Sequence, residues 1–158
     1  MTTRVVVADD HHLVRAGIVA LLEDIPEIEV VGEACDGKEA VNQVAKLRPA
    51  MLFLDLNMPG QSGLEALALI NEAQPNVRVV ILSMHNSKEH VLRALRLGAV
   101  GFMLKEDAPE ELAQAIKAVN QGNTWLSSAV SKATISSYLE RSGNNEKLNP
   151  LILDKIRC

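Results

Sequence analysis

The chain has 158 residues and a formal net charge of −4, enough for one domain with a proper core plus an appendage, and without the excess of basic residues that points to nucleic acid. Hydrophobic residues make up 47% and aromatics only 3%, so the core must come from Val, Ile, Leu and Ala, which favours an aliphatic α/β sandwich over an aromatic-rich barrel. Two cysteines, Cys35 and Cys158, cannot form a disulfide framework or a metal knuckle, and no stretch reads as a signal peptide or a membrane span, so a reduced, cytoplasmic protein is expected.

In chain order, Arg4 to Ala8 is a short β-branched run that ends in Asp9-Asp10. His11 to Asp24 places Leu13, Val14, Gly17, Ile18, Leu21 and Leu22 on one helical stripe. Ile28 to Ala34 is the second predicted strand. Asp36-Gly37 opens a helix with Ala40, Val41, Val44 and Leu47 inward, closed by Pro49. Ala50 to Leu54 then runs apolar into Asp55, and after three intervening residues Pro59-Gly60 stops the chain. Such a run suits a strand buried on both faces, with the carboxylate at its C-terminal end.

Ser62 is placed to cap a helix from Gly63 to about Ala73 that buries Leu64, Leu67 and Ile70. Val77 to Met84 is the fourth strand. Ser87 caps a helix through Leu97, with Val91, Leu92 and Leu95 inward and Gly98 ending it. Val100 to Leu104 is the fifth strand. Asp107-Ala108-Pro109-Glu110 reads as a capping box opening a last helix that Gly122 stops. Strand–helix alternation of this kind implies a doubly wound α/β fold, a parallel sheet with helices on both faces. Ser127 to Glu140 is a further amphipathic stretch, and Ser142 to Asn145 is linker-like.

In a doubly wound sheet the first and third strands are neighbours, so Asp9, Asp10 and Asp55 converge at the edge where such sheets bind ligands. Three like charges at close range are repulsive unless a hard divalent cation joins them, and Mg2+ takes carboxylate, water and phosphate oxygens. Ser83 at the end of the fourth strand can donate a hydroxyl to an anion. Lys105, after the fifth strand, offers a compact positive charge beside the acids.

Asp9-Asp10, Asp55 with Met58-Pro59-Gly60, Ser83, and Gly101-Phe102-Met103-Leu104-Lys105 together resemble the receiver domain of bacterial two-component response regulators. The resemblance runs from about Arg4 to Gly122. Ser83-Met84-His85 and Gly98 to Phe102 are most similar to the NarL/FixJ (LuxR-type) group. It implies a flavodoxin-like fold with a five-stranded sheet in the order 2-1-3-4-5, and transfer of a phosphoryl group from a sensor histidine kinase to Asp55. By the same resemblance, Asp10, Asp55 and the backbone carbonyl of Asn57 hold Mg2+, for which Mn2+ can substitute, and Asp9 acts through a water. Lys105 pairs with Asp55 or the incoming phosphoryl group. Ser83 and the aromatic Phe102 form the switch, and Asn57 and His85 tune dephosphorylation. Where many relatives carry Tyr, Phe102 has no hydroxyl and follows the switch by packing alone.

The implied role is a signalling switch that catalyses only its own phosphorylation and slow dephosphorylation, and that dimerises when phosphorylated. The expected organisation is a receiver over residues 1–122, a linker helix over 123–141, and a tail over 142–158 too short for a helix-turn-helix unit. DNA would then be reached only through a complete output domain, and the chain is either a fragment of a transcription regulator or a stand-alone, partner-binding receiver. An aspartyl-phosphate hydrolase is disfavoured because such enzymes resemble a pattern with the nucleophile on the first strand and a second Asp two residues on, whereas Asp9-Asp10-His11 lacks that spacing. A nucleotide-binding fold is disfavoured because no glycine-rich loop follows the first strand.

Overall fold

Val5, Val6, Val7 and Ala8 are all fully buried, which requires a strand covered on both faces. They belong to β1 (Thr3–Ala8) in a computed structural model that describes residues 2–58, 62–84 and 87–126. The expected Pro59-Gly60 turn, His85, the linker helix beyond Leu126 and the tail lie outside the described residues.

The remaining elements are α1 (His12–Glu23), β2 (Ile28–Ala34), α2 (Gly37–Leu47), β3 (Met51–Asp55), α3 (Gly63–Ala73), β4 (Arg78–Ser83), α4 (Lys88–Arg96), β5 (Gly101–Leu104), a 3-10 turn (Lys105–Asp107), α5 (Ala108–Asn120) and β6 (Trp125–Leu126). The strands form one sheet in the order β2-β1-β3-β4-β5-β6, and every pairing is parallel. The order 2-1-3-4-5 is the expected one. The sixth strand is an addition: Trp125 and Leu126, expected to begin the linker helix, instead pair with Gly101 and Phe102.

Pleating sorts the core into two layers. Val6, Ala8, Leu52, Leu54, Ile81 and Phe102 pack under α2, α3 and α4, while Val5, Val7, Met51, Phe53, Val80, Leu82 and Met103 pack under α1 and α5. Successive strand residues thus serve opposite faces, and β-branched and leucine side chains fill both.

Most local signals are realised. The Asp36 carboxylate accepts from the Glu39 N–H at 2.7 Å and the Ser62 hydroxyl accepts from the Glu65 N–H at 3.2 Å. Gly98 and Gly122 take φ of +108° and +86° after their helices, as helix stops do.

Three expectations are corrected. Leu13 leaves the predicted stripe and stands 86% exposed, while Ile18 and Leu22 carry the burial of α1. Ser87 makes no side-chain cap. Asp107 makes none either, because the 3-10 turn leaves it at φ −88°, ψ −10°, away from the extended backbone from which a cap reaches forward.

Candidate phosphoacceptor site

β1, β3 and β4 end at the same edge, so register alone brings their last residues together. Ala8 pairs with Leu54, Asp55 with Leu82, and Ser83 with Leu104, the residue before Lys105. Asp9, Asp55, Ser83 and Lys105 are the buried polar side chains of the described core. Burying three ionisable groups is costly unless they pair.

Lys105 supplies the pairing. Its Nζ lies 2.8 Å from Asp9 Oδ2 and 3.2 Å from Asp55 Oδ2, so one ammonium bridges two strand ends. The expected partner, Asp55, is found, and Asp9 is the shorter contact. The other Asp9 oxygen accepts from the His11 N–H at 2.9 Å, and Asp55 Oδ1 accepts from the Asn57 N–H at 3.1 Å.

The two carboxyls respond in opposite directions. Burial pushes Asp55 up to about 6, reinforced by the Asp9 charge and only partly relieved by the Asn57 N–H and Lys105. Burial also acts against ionised Asp9, but its bonds to Lys105 and to His11 hold it below the ordinary range. The cation and the local backbone therefore favour charge on Asp9, and a proton resides more readily on Asp55.

The fit to a divalent cation rests on carboxylate oxygens with lone pairs to spare. Asp9 Oδ2, Asp10 Oδ1 and Asp55 Oδ2 are buried without a well-directed hydrogen-bond donor. Ligand atoms of Asp9, Asp10, His11 and Asp55 all lie within 4.8 Å of one another. A set of carboxylate oxygens with spare lone pairs suits a hard divalent ion. Asp10 is the more open carboxylate, its side chain 26% exposed.

The other predicted residues fall at or around this cluster. Ser83 is buried at the end of β4, and Asn57 is an exposed residue just past β3. Phe102 is fully buried in the layer under α2, α3 and α4, paired with Ile81 on one side and Leu126 on the other.

Three contributors escaped the sequence reading. The His11 ring places Nδ1 3.3 Å from Asp9 and 3.1 Å from Asp10; its place directly after the acid pair was the available signal. Arg15 bonds the Asp9 carbonyl, and nothing in its spacing reveals that. Gly63 lets the start of α3 press on the acidic loop: a Cβ there would come within 2.4 Å of the Asp55 carbonyl oxygen. A glycine in a first helical turn was the clue.

Comparison with known proteins agrees with this geometry. The profile of the response regulator receiver domain matches residues 5–117. The chain is 37% identical over 144 residues to the oxygen regulatory protein NreC of Staphylococcus epidermidis, and 36% identical over 143 residues to the nitrate/nitrite response regulator NarL of Escherichia coli. Both alignments cover 90% of this chain and 66% of the relative, so the chain spans just under two thirds of their length. Among solved structures, a LuxR-family two-component response regulator from Aurantimonas superposes with a TM-score of 0.84 at 33% identity, covering 88% of this chain and 99% of that one. The isolated receiver domain of RcsB from Salmonella enterica, solved with the phosphomimetic BeF3−, superposes at 0.78 and 32% identity, covering 84% and 99%.

Proposed function

Because the chain belongs to the response regulator receiver domain family, we propose that Asp55 accepts a phosphoryl group from the phosphohistidine of a sensor kinase and that this biases the conformation of the domain. The observation that carries the reading is the buried Asp9–Lys105–Asp55 bridge at the sheet edge, with the Asp10 carboxylate gathered beside it.

Each residue then has a definite task. An Asp55 carboxylate oxygen forms the new bond to phosphorus while the donor's P–N bond breaks and its electron pair stays on the histidine, giving an acyl phosphate. The Asn57 N–H orients the carboxylate from the rear. Lys105, already 3.2 Å from Asp55, faces the oxygens on which charge accumulates. Asp10, Asp55 and the Asn57 carbonyl are the proposed holders of Mg2+, with Asp9 acting through a water. When bound, the ion neutralises charge on the transferring group and on the acids themselves. Ser83 is proposed to donate to the phosphoryl oxygens, and Phe102 to repack beside it. Asn57 and His85 are proposed to set how readily water reaches phosphorus.

The family is one of signalling domains rather than of turnover enzymes. Beyond the site, the relatives support a cytoplasmic partner of a histidine kinase that dimerises on phosphorylation. Control of transcription would act through an output domain such as the regulators of this group carry. No helix among the described residues is long and apolar enough to cross a membrane.

Incubation with acetyl phosphate and Mg2+, followed by intact-mass measurement, tests the proposal. The expected result is one added phosphoryl group, lost on chelation and absent in Asp55→Asn. Labelling that survives in Asp55→Asn sinks the assignment.

A further inference from the structure

Arg15 lies one turn into α1, away from the acid cluster in sequence, yet it is engaged on three sides. Its Nη1 donates to the Asp9 carbonyl at 2.6 Å, its Nε donates to Glu33 Oε1 at 3.0 Å, and its Nη2 lies 2.7 Å from His12 Nδ1. The side chain is only 12% exposed, whereas that of Glu33 is 48% exposed. A planar fork reaches the Asp9 carbonyl, Glu33 and His12 from three separate nitrogens, a spread that the single nitrogen of an ammonium does not have.

The carbonyl it holds is that of the peptide joining Asp9 to Asp10. The Asp9 N–H is fixed from the other side by the Ala34 carbonyl at 2.9 Å. β2 therefore grips this turn twice, once through its backbone and once through Glu33 and Arg15. Rotation of the Asp9–Asp10 peptide would break the Arg15 contact and swing the Asp10 carboxylate, the least buried acid of the set.

We infer that Arg15, oriented by Glu33, is a positioning residue that aims Asp10 into the acid cluster and so sets its affinity for a divalent cation. This rests on the proposed use of that cluster as a cation site. Residues one shell out from metal ligands characteristically alter affinity by about 10–100-fold when removed. The sign discriminates. As a mere positive charge near the acids, Arg15 would repel a cation, so its removal would tighten binding. As a strut between α1 and β2, it would affect stability and leave affinity unchanged.

The test is direct titration of the full chain with Mn2+ in the absence of any phosphodonor, reading free Mn2+ by electron paramagnetic resonance. Wild type, Arg15→Gln, Arg15→Lys and Glu33→Gln are compared, each checked for folding by circular dichroism. Arg15→Gln is expected to weaken binding about tenfold, Arg15→Lys to recover little of it, and Glu33→Gln to show a smaller loss. Unchanged or tighter Mn2+ binding by folded Arg15→Gln overturns the inference. If that variant does not fold, Glu33→Gln decides: weakened binding supports the inference and wild-type binding overturns it. Wild-type protein that binds no Mn2+ would instead refute the cation site itself, and the inference with it.

Discussion

Replacing Asp55 by Asn should stabilise the metal-free protein, and by an amount that depends on pH. In the folded chain the carboxyl is moved from its ordinary 3.8 to about 6, chiefly by burial. Its ionised form therefore costs the fold about 3 kcal/mol, a cost that develops as pH rises from roughly 4 through 6 and is complete above about 7. The native state binds the extra proton, so stability falls with rising pH over that window. Asp9 works in the opposite sense: its carboxyl is held below the ordinary range, adding stability above that range which is lost on acidification. That contribution is common to both proteins and largely cancels in their difference. The substituted asparagine carries no charge at any pH and keeps the size of the side chain. Urea unfolding with chelator present should thus show the gap between Asp55→Asn and wild type widening by about 2–3 kcal/mol between about pH 4.5 and about pH 8. A gap independent of pH, or a variant less stable than wild type at the alkaline end, would refute the claim that Asp55 is held at energetic cost.

Three further outcomes are expected. Lys105→Ala strips two buried carboxylates of their shared cation, and thermal or urea unfolding should show a loss of about 3–5 kcal/mol near pH 8, shrinking toward pH 5 as Asp55 takes up a proton. Gly63→Ala forces a methyl within 2.4 Å of the Asp55 carbonyl oxygen and 2.6 Å of Leu56 Cα; it should cost about 1–3 kcal/mol in unfolding experiments and slow phosphorylation by acetyl phosphate, whereas an unaffected rate would mean that α3 shifts freely. Burial, followed by the Asp107 charge, raises the Glu111 carboxyl, which lies beside the Trp125 indole. The emission of Trp125, the only tryptophan, should therefore titrate above the ordinary carboxylate range and become flat in Glu111→Gln.

How much was legible in the chain follows from how local each signal is. The strands announce themselves because Val5 to Ala8 of β1 and Met51 to Leu54 of β3 are apolar without interruption, and only two-sided burial supports that. The acids were placed because each ends such a run, so register carries them to one edge. Arg15 could not be found this way: its acceptors include a carbonyl six residues back and a glutamate on another strand, a coincidence that exists only once α1 has docked on the sheet. β6 failed for a related reason. Two residues are too few to show a period, and Trp125 becomes strand because the Val100 carbonyl accepts its N–H at 2.9 Å. Leu13 misled because a helical stripe identifies a face and not its ends, and in the first turn of α1 that face has already left the core.

Position 55 carries no structural need for a carboxylate. Its neighbours Leu54 and Leu82 are apolar and buried, the residue sits in strand register beside Leu82, and an uncharged side chain of similar size would avoid the desolvation that raises Asp55 to about 6. Lys105 does not remove that cost, since its shorter contact is with Asp9. An ionisable group kept where it opposes folding, beside a second buried carboxylate that shares its one ammonium, is what stored electrostatic strain at a functional site looks like. The extensive aliphatic core on both faces of the sheet lets the fold tolerate it. On the proposed phosphoacceptor reading, the same strain would bear on the chemistry: a cation or a phosphoryl group would meet acids already gathered and, for Asp9 and Asp55, already buried, so little reorganisation would be left for the transfer.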